Sequence, residues 1–128
     1  MKPKLPCAHT TQRALDSFFS SSGKLFHVFS RDQVMACFRD VFNGPGAGRN
    51  AEATACLTGV AAVGAQYNPH LFEDSSLRGF YNICRLYLDE VLKEAPLQAV
   101  KVCTLMAMYN IMGKSLAAVA FVGKYRPK

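Results

Sequence analysis

Residues 77–112 read LRGFYNICRLYLDEVLKEAPLQAVKVCTLMAMYNIM, and this stretch decides the fold class. Leu77, Phe80, Cys84, Tyr87, Leu88 and Val91 recur at helical spacing, with Tyr81 beside them. Arg78, Asn82, Arg85, Asp89 and Lys93 fall on the opposite side. The pattern predicts an amphipathic helix with one buried face. Pro96 cannot continue that helix and restricts Ala95 before it, so the chain turns there. Residues 97–112 predict a second helix. From Val102 to Met112 only Thr104 and Asn110 are polar, which predicts cover on nearly every side and a place in the middle of a helical domain. Val102 and Tyr109 are expected to be buried, and Arg78 exposed. None of these side chains forms a reactive set. The hairpin is architecture, and it points to a scaffold or interaction module.

Working outward, the other apolar segments share the helical period. Ala14, Leu15, Phe18 and Phe19 form a short stripe that predicts a brief helix ended by Ser20, Ser21, Ser22 and Gly23. Leu25, Phe26, His27, Val28 and Phe29 form a short extended or turn-like run. Ser30 followed three residues later by Gln33 is a capping-box pattern, with Asp32 suited to the helix dipole in the first turn. Val34, Cys37, Phe38, Val41 and Phe42 then give that helix its apolar face. Residues 44–48, GPGAG, read as a loop. Asn50 is the expected N-cap of a third helix over residues 51–67, rich in small residues such as Ala55, Gly59 and Ala62, which let a neighbouring helix approach closely. Asn68 and Pro69 stop it. Gly113 is expected to close the hairpin's second helix and Ser115 to cap a final one over residues 116–123. There is no convincing strand and no internal repeat. The expectation is an all-α bundle of about five helices with antiparallel hairpins, the N-terminal part of a larger helical domain. A disordered tail is expected over residues 1–13, and a short tail over 125–128.

Composition bounds the function. Half of the 128 residues are hydrophobic, enough for a real core in one domain. The net charge of +6 is unevenly spread. Residues 31–94 carry six Lys/Arg against eight acids, whereas residues 95–128 carry five Lys/Arg and no acid. Nucleic-acid binding needs basic residues gathered on one face, and here the excess sits at the ends. The five cysteines, Cys7, Cys37, Cys56, Cys84 and Cys103, lie 30, 19, 28 and 19 residues apart. The odd count, and the apolar setting of Cys56, Cys84 and Cys103, fit free buried thiols in a reducing compartment. No signal peptide is visible, and the most apolar segments are well short of the ~20 residues of a membrane span. A soluble, intracellular protein is expected.

With the elements in this order, the sequence resembles the fungal-specific regulatory, or middle homology, region of binuclear zinc-cluster transcription factors. Three stretches carry the resemblance. The first is Leu15-Asp16-Ser17-Phe18-Phe19 followed by Leu25-Phe26-His27-Val28-Phe29-Ser30-Arg31. The second is Ala61-Ala62-Val63-Gly64-Ala65, similar to the family's small-residue helix. The third is Phe80-Tyr81-Asn82-Ile83-Cys84-Arg85 with Leu88-Asp89, then residues 97–109, similar to the family's "FY-x-x-A-R" and "L-x-x-V-x-x-x-x-L-x-A-x-Y" helices. Together they cover residues 14–124. The resemblance implies a nuclear regulator of transcription that acts through protein contacts. The family's zinc and DNA binding reside in a six-cysteine cluster, which needs close Cys-x-x-Cys pairs, and this sequence has none. Within these residues no cofactor is therefore expected, and DNA would be reached only through another domain or a partner. The alternative is a stand-alone helical interaction module, such as a dominant-negative partner, or a truncated product without function. No residue points to a small-molecule effector.

Catalysis finds little support. His9, His27 and His70 lie in different segments with no nucleophile signature nearby. Ser22-Gly23-Lys24 lacks the first glycine of a phosphate-binding loop, and Leu25 stands where that loop needs Ser or Thr. Gly44, Gly46 and Gly48 follow no strand. Cys103, Met106, Met108 and Met112 read as a core stripe in preference to a soft-metal site. Glu73-Asp74 and Asp89-Glu90 read as solvated or helix-start charge. A non-enzymatic chain is expected. The candidate contact surface is Leu116, Val119, Phe121 and Val122 on the last helix, which is apolar on nearly all sides. It would seat a protein partner or a second copy.

Overall fold

Among the described residues, four helices pack against one slim helix, and side-chain size explains which helix takes the centre. The computed structural model describes residues 5–21, 29–42 and 50–125, with no side chains described at residue 21 or in 114–125. The described elements are α1 (Ala8–Ser21), α2 (Arg31–Phe42), α3 (Ala51–Tyr67), a 3₁₀ turn (Pro69–Leu71), α4 (Asp74–Glu94) and α5 (Pro96–Tyr125). There is no strand among the described residues, and the all-α expectation holds. The loop at 44–48, the run at 25–28 with His27, residues 22–24, and the ends 1–4 and 126–128 lie outside the described residues.

α3 is the axis. Asn50 caps it as expected, its Oδ1 accepting from the Ala53 N–H at 3.1 Å. At the far end the Asn68 N–H donates to the Ala65 carbonyl at 3.2 Å before Pro69 ends the helix. Between the caps every residue from Ala51 to Ala65 except Glu52 is buried. α1, α2, α4 and α5 all pack on it. The sequence pattern assigned the central place to the hairpin's second helix, and the structure corrects this. An axis touched by four helices must be thin, and α3 carries Ala or Gly at eight of its 17 positions. α5 carries larger residues and leaves Leu97, Val100 and Ile111 in solvent.

α1 begins at Ala8, inside the stretch expected to be a tail. Cys7 starts it. Its Sγ accepts from the Thr10 N–H at 3.5 Å and shares a hydrogen bond with the Thr10 hydroxyl at 3.2 Å. Thr11, fully buried, donates its hydroxyl to the Pro6 carbonyl at 3.4 Å. Ala14, Leu15 and Phe18 complete the buried face. Asn68 Nδ2 donates to Ser17 Oγ at 2.6 Å and ties the end of α3 to α1.

α2 opens on the expected capping box. The Gln33 N–H donates to Ser30 Oγ at 3.1 Å, and the Ser30 N–H donates to Gln33 Oε1 at 3.0 Å. Val34 and Val41 are buried, while Cys37, Phe38 and Phe42 are half-buried.

α4 and α5 form the predicted hairpin about Ala95, whose N–H donates to the Val91 carbonyl at 2.7 Å and whose carbonyl accepts from the Ala99 N–H at 3.0 Å. Phe80, Ile83, Cys84 and Val91 face the core from α4, and Ala99, Val102 and Leu105 from α5. Tyr109 is half-buried and stacks on Tyr81, with ring centroids 4.5 Å apart. Besides the half-burial of Tyr109, which was expected to be buried, two expectations for this region change. α5 runs unbroken through Gly113, so there is no separate final helix. A helix-interior glycine costs about 1 kcal/mol, and here Gln66 from α3 supports the turn, donating to the Tyr109 carbonyl at 3.5 Å. Cys103 is exposed, whereas Cys56 and Cys84 are buried as expected.

Candidate functional site

The four residues expected to form a contact surface, Leu116, Val119, Phe121 and Val122, lie within α5, but their side chains fall outside the described ones. One to five turns earlier the same helix displays a described apolar face. Leu97 is 82% exposed, Val100 63% and Ile111 63%. Cys103, Thr104 and Ala107 are also exposed. Positions 97, 100, 104, 107 and 111 alternate steps of three and four, the spacing of a helix–helix seam. Ala99, Val102 and Leu105, fully buried, hold the opposite side of α5 against the core. None of the six exposed residues is charged. The Thr104 hydroxyl donates to the Val100 carbonyl at 3.0 Å, so its donor is already used within the helix. Covering this face would strand no charge and leave that hydroxyl paired. The 97–111 spacing was readable in the sequence; it was masked because nearly every position of the helix is apolar and no stripe stands out.

A second feature lies between α2, α3 and the start of α5. A cavity of about 480 Å³ is lined by residues that include Phe29, Cys37, Asp40, Asn50, Glu52 and Cys56. Asn50, the cap of α3, reaches across to α2 and donates its Nδ2 to Asp40 Oδ2 at 3.0 Å. Lys101 sits over the Phe29 ring, 5.3 Å from its centroid. Cys37, half-buried, and Cys56, 3% exposed, line this cavity from α2 and α3. The Cys56 thiol hydrogen bond favours the Cys37 thiolate and lowers its pKa against the opposing effects of burial, Glu52 and Asp40. The same bond, with burial, pushes the Cys56 thiol up. The two cysteines are 19 residues apart on separate helices, a spacing that carries no local signal.

Among the described residues, the remaining titratable groups do not assemble into a site. His9 and His70 are exposed in separate elements. Among the described residues, no group of three or more His, Cys, Asp or Glu side chains is placed to hold a metal ion. Burial pushes the Cys84 thiol up to about 12, and it donates to the Ala55 carbonyl at 3.4 Å. Burial also raises Tyr109, with Tyr81 adding to the shift. Among the described residues, no helix is long and apolar enough to cross a membrane. No protein-family model matches this sequence, and no curated protein or solved structure matches it.

Proposed function

We propose that this chain is a non-enzymatic regulatory region of a fungal zinc-cluster type of transcription regulator, nuclear, without a DNA reader of its own, and that it pairs with a second copy through the outer face of α5. The observation that carries the reading is that face. It presents Leu97, Val100 and Ile111 to solvent on a helix whose other side is anchored in the core. A second copy fits because the face is uncharged along its length, so two identical seams can meet without burying like charges. The order of the three family-like stretches, with a small-residue helix at the axis, supports the transcriptional part of the reading. A single helix–helix seam is at the small end of specific interfaces. Association is therefore expected on the order of tens of micromolar.

Two measurements test it. Sedimentation velocity should show concentration-dependent dimers that the double substitution Val100→Lys, Ile111→Lys removes, with Arg85→Ala unchanged. Tethering the chain to an unrelated DNA-binding domain upstream of a reporter in fungal cells should change transcription, and the same double substitution should abolish that change. A monomer at all these concentrations would overturn the pairing surface. A silent tether would overturn the regulatory role and leave a helical contact module.

A further inference from the structure

The paired thiols of Cys37 and Cys56 have no part in the proposed contact surface, which lies on α5. They come from helices packed on each other, α2 and α3, both line one cavity, and each acts on the other's ionisation. Their environments differ. Cys37 is half-buried on α2, reachable through the cavity, while Cys56 is buried at the wall formed by α3. A half-buried sulfur backed by a buried second thiol is the arrangement of an attacking and a resolving cysteine. Three further groups act on the pair. Asp40 on α2 and Glu52 on α3 act on the Cys37 thiol, while Glu52 and Cys84 on α4 act on Cys56.

We propose that Cys37 and Cys56 form an oxidisable dithiol site that takes a small hydroperoxide and closes to a disulfide between α2 and α3. The Cys37 thiolate attacks the terminal oxygen of the hydroperoxide. The O–O bond breaks, an S–O bond forms, and the departing oxygen leaves as an alcohol, or as water from hydrogen peroxide, after taking up a proton. Cys37 is now a sulfenic acid. The Cys56 sulfur attacks the Cys37 sulfur and gives up its proton. The S–O bond breaks, hydroxide leaves with that proton as water, and the S–S bond forms. The two thiols lose two electrons and the peroxide gains them. Cys56 serves both steps, because its thiol favours the Cys37 thiolate and supplies the resolving sulfur from the wall of the same cavity. The product ties α2 to α3 beside the Asn50 cap and across the cavity that the pair lines.

The test uses the full chain, reduced and then treated with equimolar hydrogen peroxide, alkylated and mapped by mass spectrometry. The expected product is a Cys37–Cys56 linked peptide pair, with two free thiols lost, recovered by dithiothreitol. In Cys56→Ser, dimedone should instead trap a sulfenic acid on Cys37, and in Cys37→Ser the Cys56 thiol should stay free. The wild-type map decides even if a variant folds poorly. Oxidation confined to the exposed Cys7 and Cys103, with Cys37 and Cys56 still alkylated as free thiols, would overturn the proposal. So would a Cys37 sulfenic acid that persists in the wild-type chain without cross-linking.

Discussion

The backbone carbonyl of Ala14 in α1 occupies the space where a Cβ on Gly64 of α3 would stand, and the Phe18 Cβ lies 2.9 Å from the same point. α1 therefore crosses the axis at a position that only glycine permits. Gly64→Ala must push two helices apart, because a carbonyl cannot rotate out of the way as a side chain can. The expected loss is about 3 kcal/mol, the upper range for overpacking. Gly59 is a useful contrast. Its would-be Cβ meets Leu105 Cδ1 at 3.2 Å and Cys84 Sγ at 3.3 Å, both side-chain atoms. There a small shift is available, and the helix gain of about 1 kcal/mol for alanine over glycine offsets it. Gly59→Ala should change stability by less than about 1 kcal/mol. Denaturant unfolding of the two variants separates the cases, and equal losses would contradict the assigned crossing.

The hairpin offers a test of faces. Val102 is fully buried and Arg78 is exposed. Val102→Asp places a carboxylate among apolar side chains, at a cost of about 3–5 kcal/mol or an equivalent forced protonation. Arg78→Ala should stay within about 0.5 kcal/mol. Thermal melts of the two proteins should differ by many degrees, and equal shifts would show the faces to be assigned wrongly.

These two cases show what was legible in the sequence. The faces of α4 came directly from spacing, since Arg78, Asn82, Arg85, Asp89 and Lys93 are all exposed. The Ser30–Gln33 box and the Asn50 cap were equally local, and each bond is present. What spacing could not rank was two apolar helices. Both α3 and α5 lack a polar side, and only the close crossings at Gly59 and Gly64 assign the axis to α3. The start of α1 was hidden because a cysteine caps it, a role the sequence pattern assigns to Ser, Thr, Asp or Asn. The paired thiols depend on the tertiary approach of α2 to α3, which no linear motif encodes.

That unusual cap gives a chemical prediction. Hydrogen bonds from the Thr10 hydroxyl and then the Thr10 amide lower the pKa of the Cys7 thiol. A lowered thiol pKa means more thiolate at a given pH, so alkylation of Cys7 should reach half its maximal rate at a lower pH than for an ordinary cysteine, near 8.5. Thr10→Ala removes the larger contribution and should move that midpoint upward. Peptide-resolved iodoacetamide labelling across pH 6–10 measures it. A midpoint identical in native and urea-unfolded protein would refute the cap.

Stability at alkaline pH depends on the buried thiols. Unfolded, Cys84 ionises at about 8.5. Folded, burial holds its proton up to about 12, and Cys56 is shifted in the same direction. Between those values the unfolded chain binds fewer protons than the native one, so stability falls as pH rises. The contribution is fully present below the unfolded value and is lost as pH climbs toward the folded one. One fully titrating group gives a slope of about 1.4 kcal/mol per pH unit. Cys84→Ala removes that group, together with its hydrogen bond to the Ala55 carbonyl. The variant should be weaker at pH 7 yet lose stability more gradually, by about 1 kcal/mol per unit, between pH 9.5 and 10.5. Lysine and tyrosine titration affects both proteins alike and cancels in the comparison. Urea unfolding at each pH supplies the two slopes, and identical slopes would mean that Cys84 ionises in the folded protein as readily as in the unfolded chain.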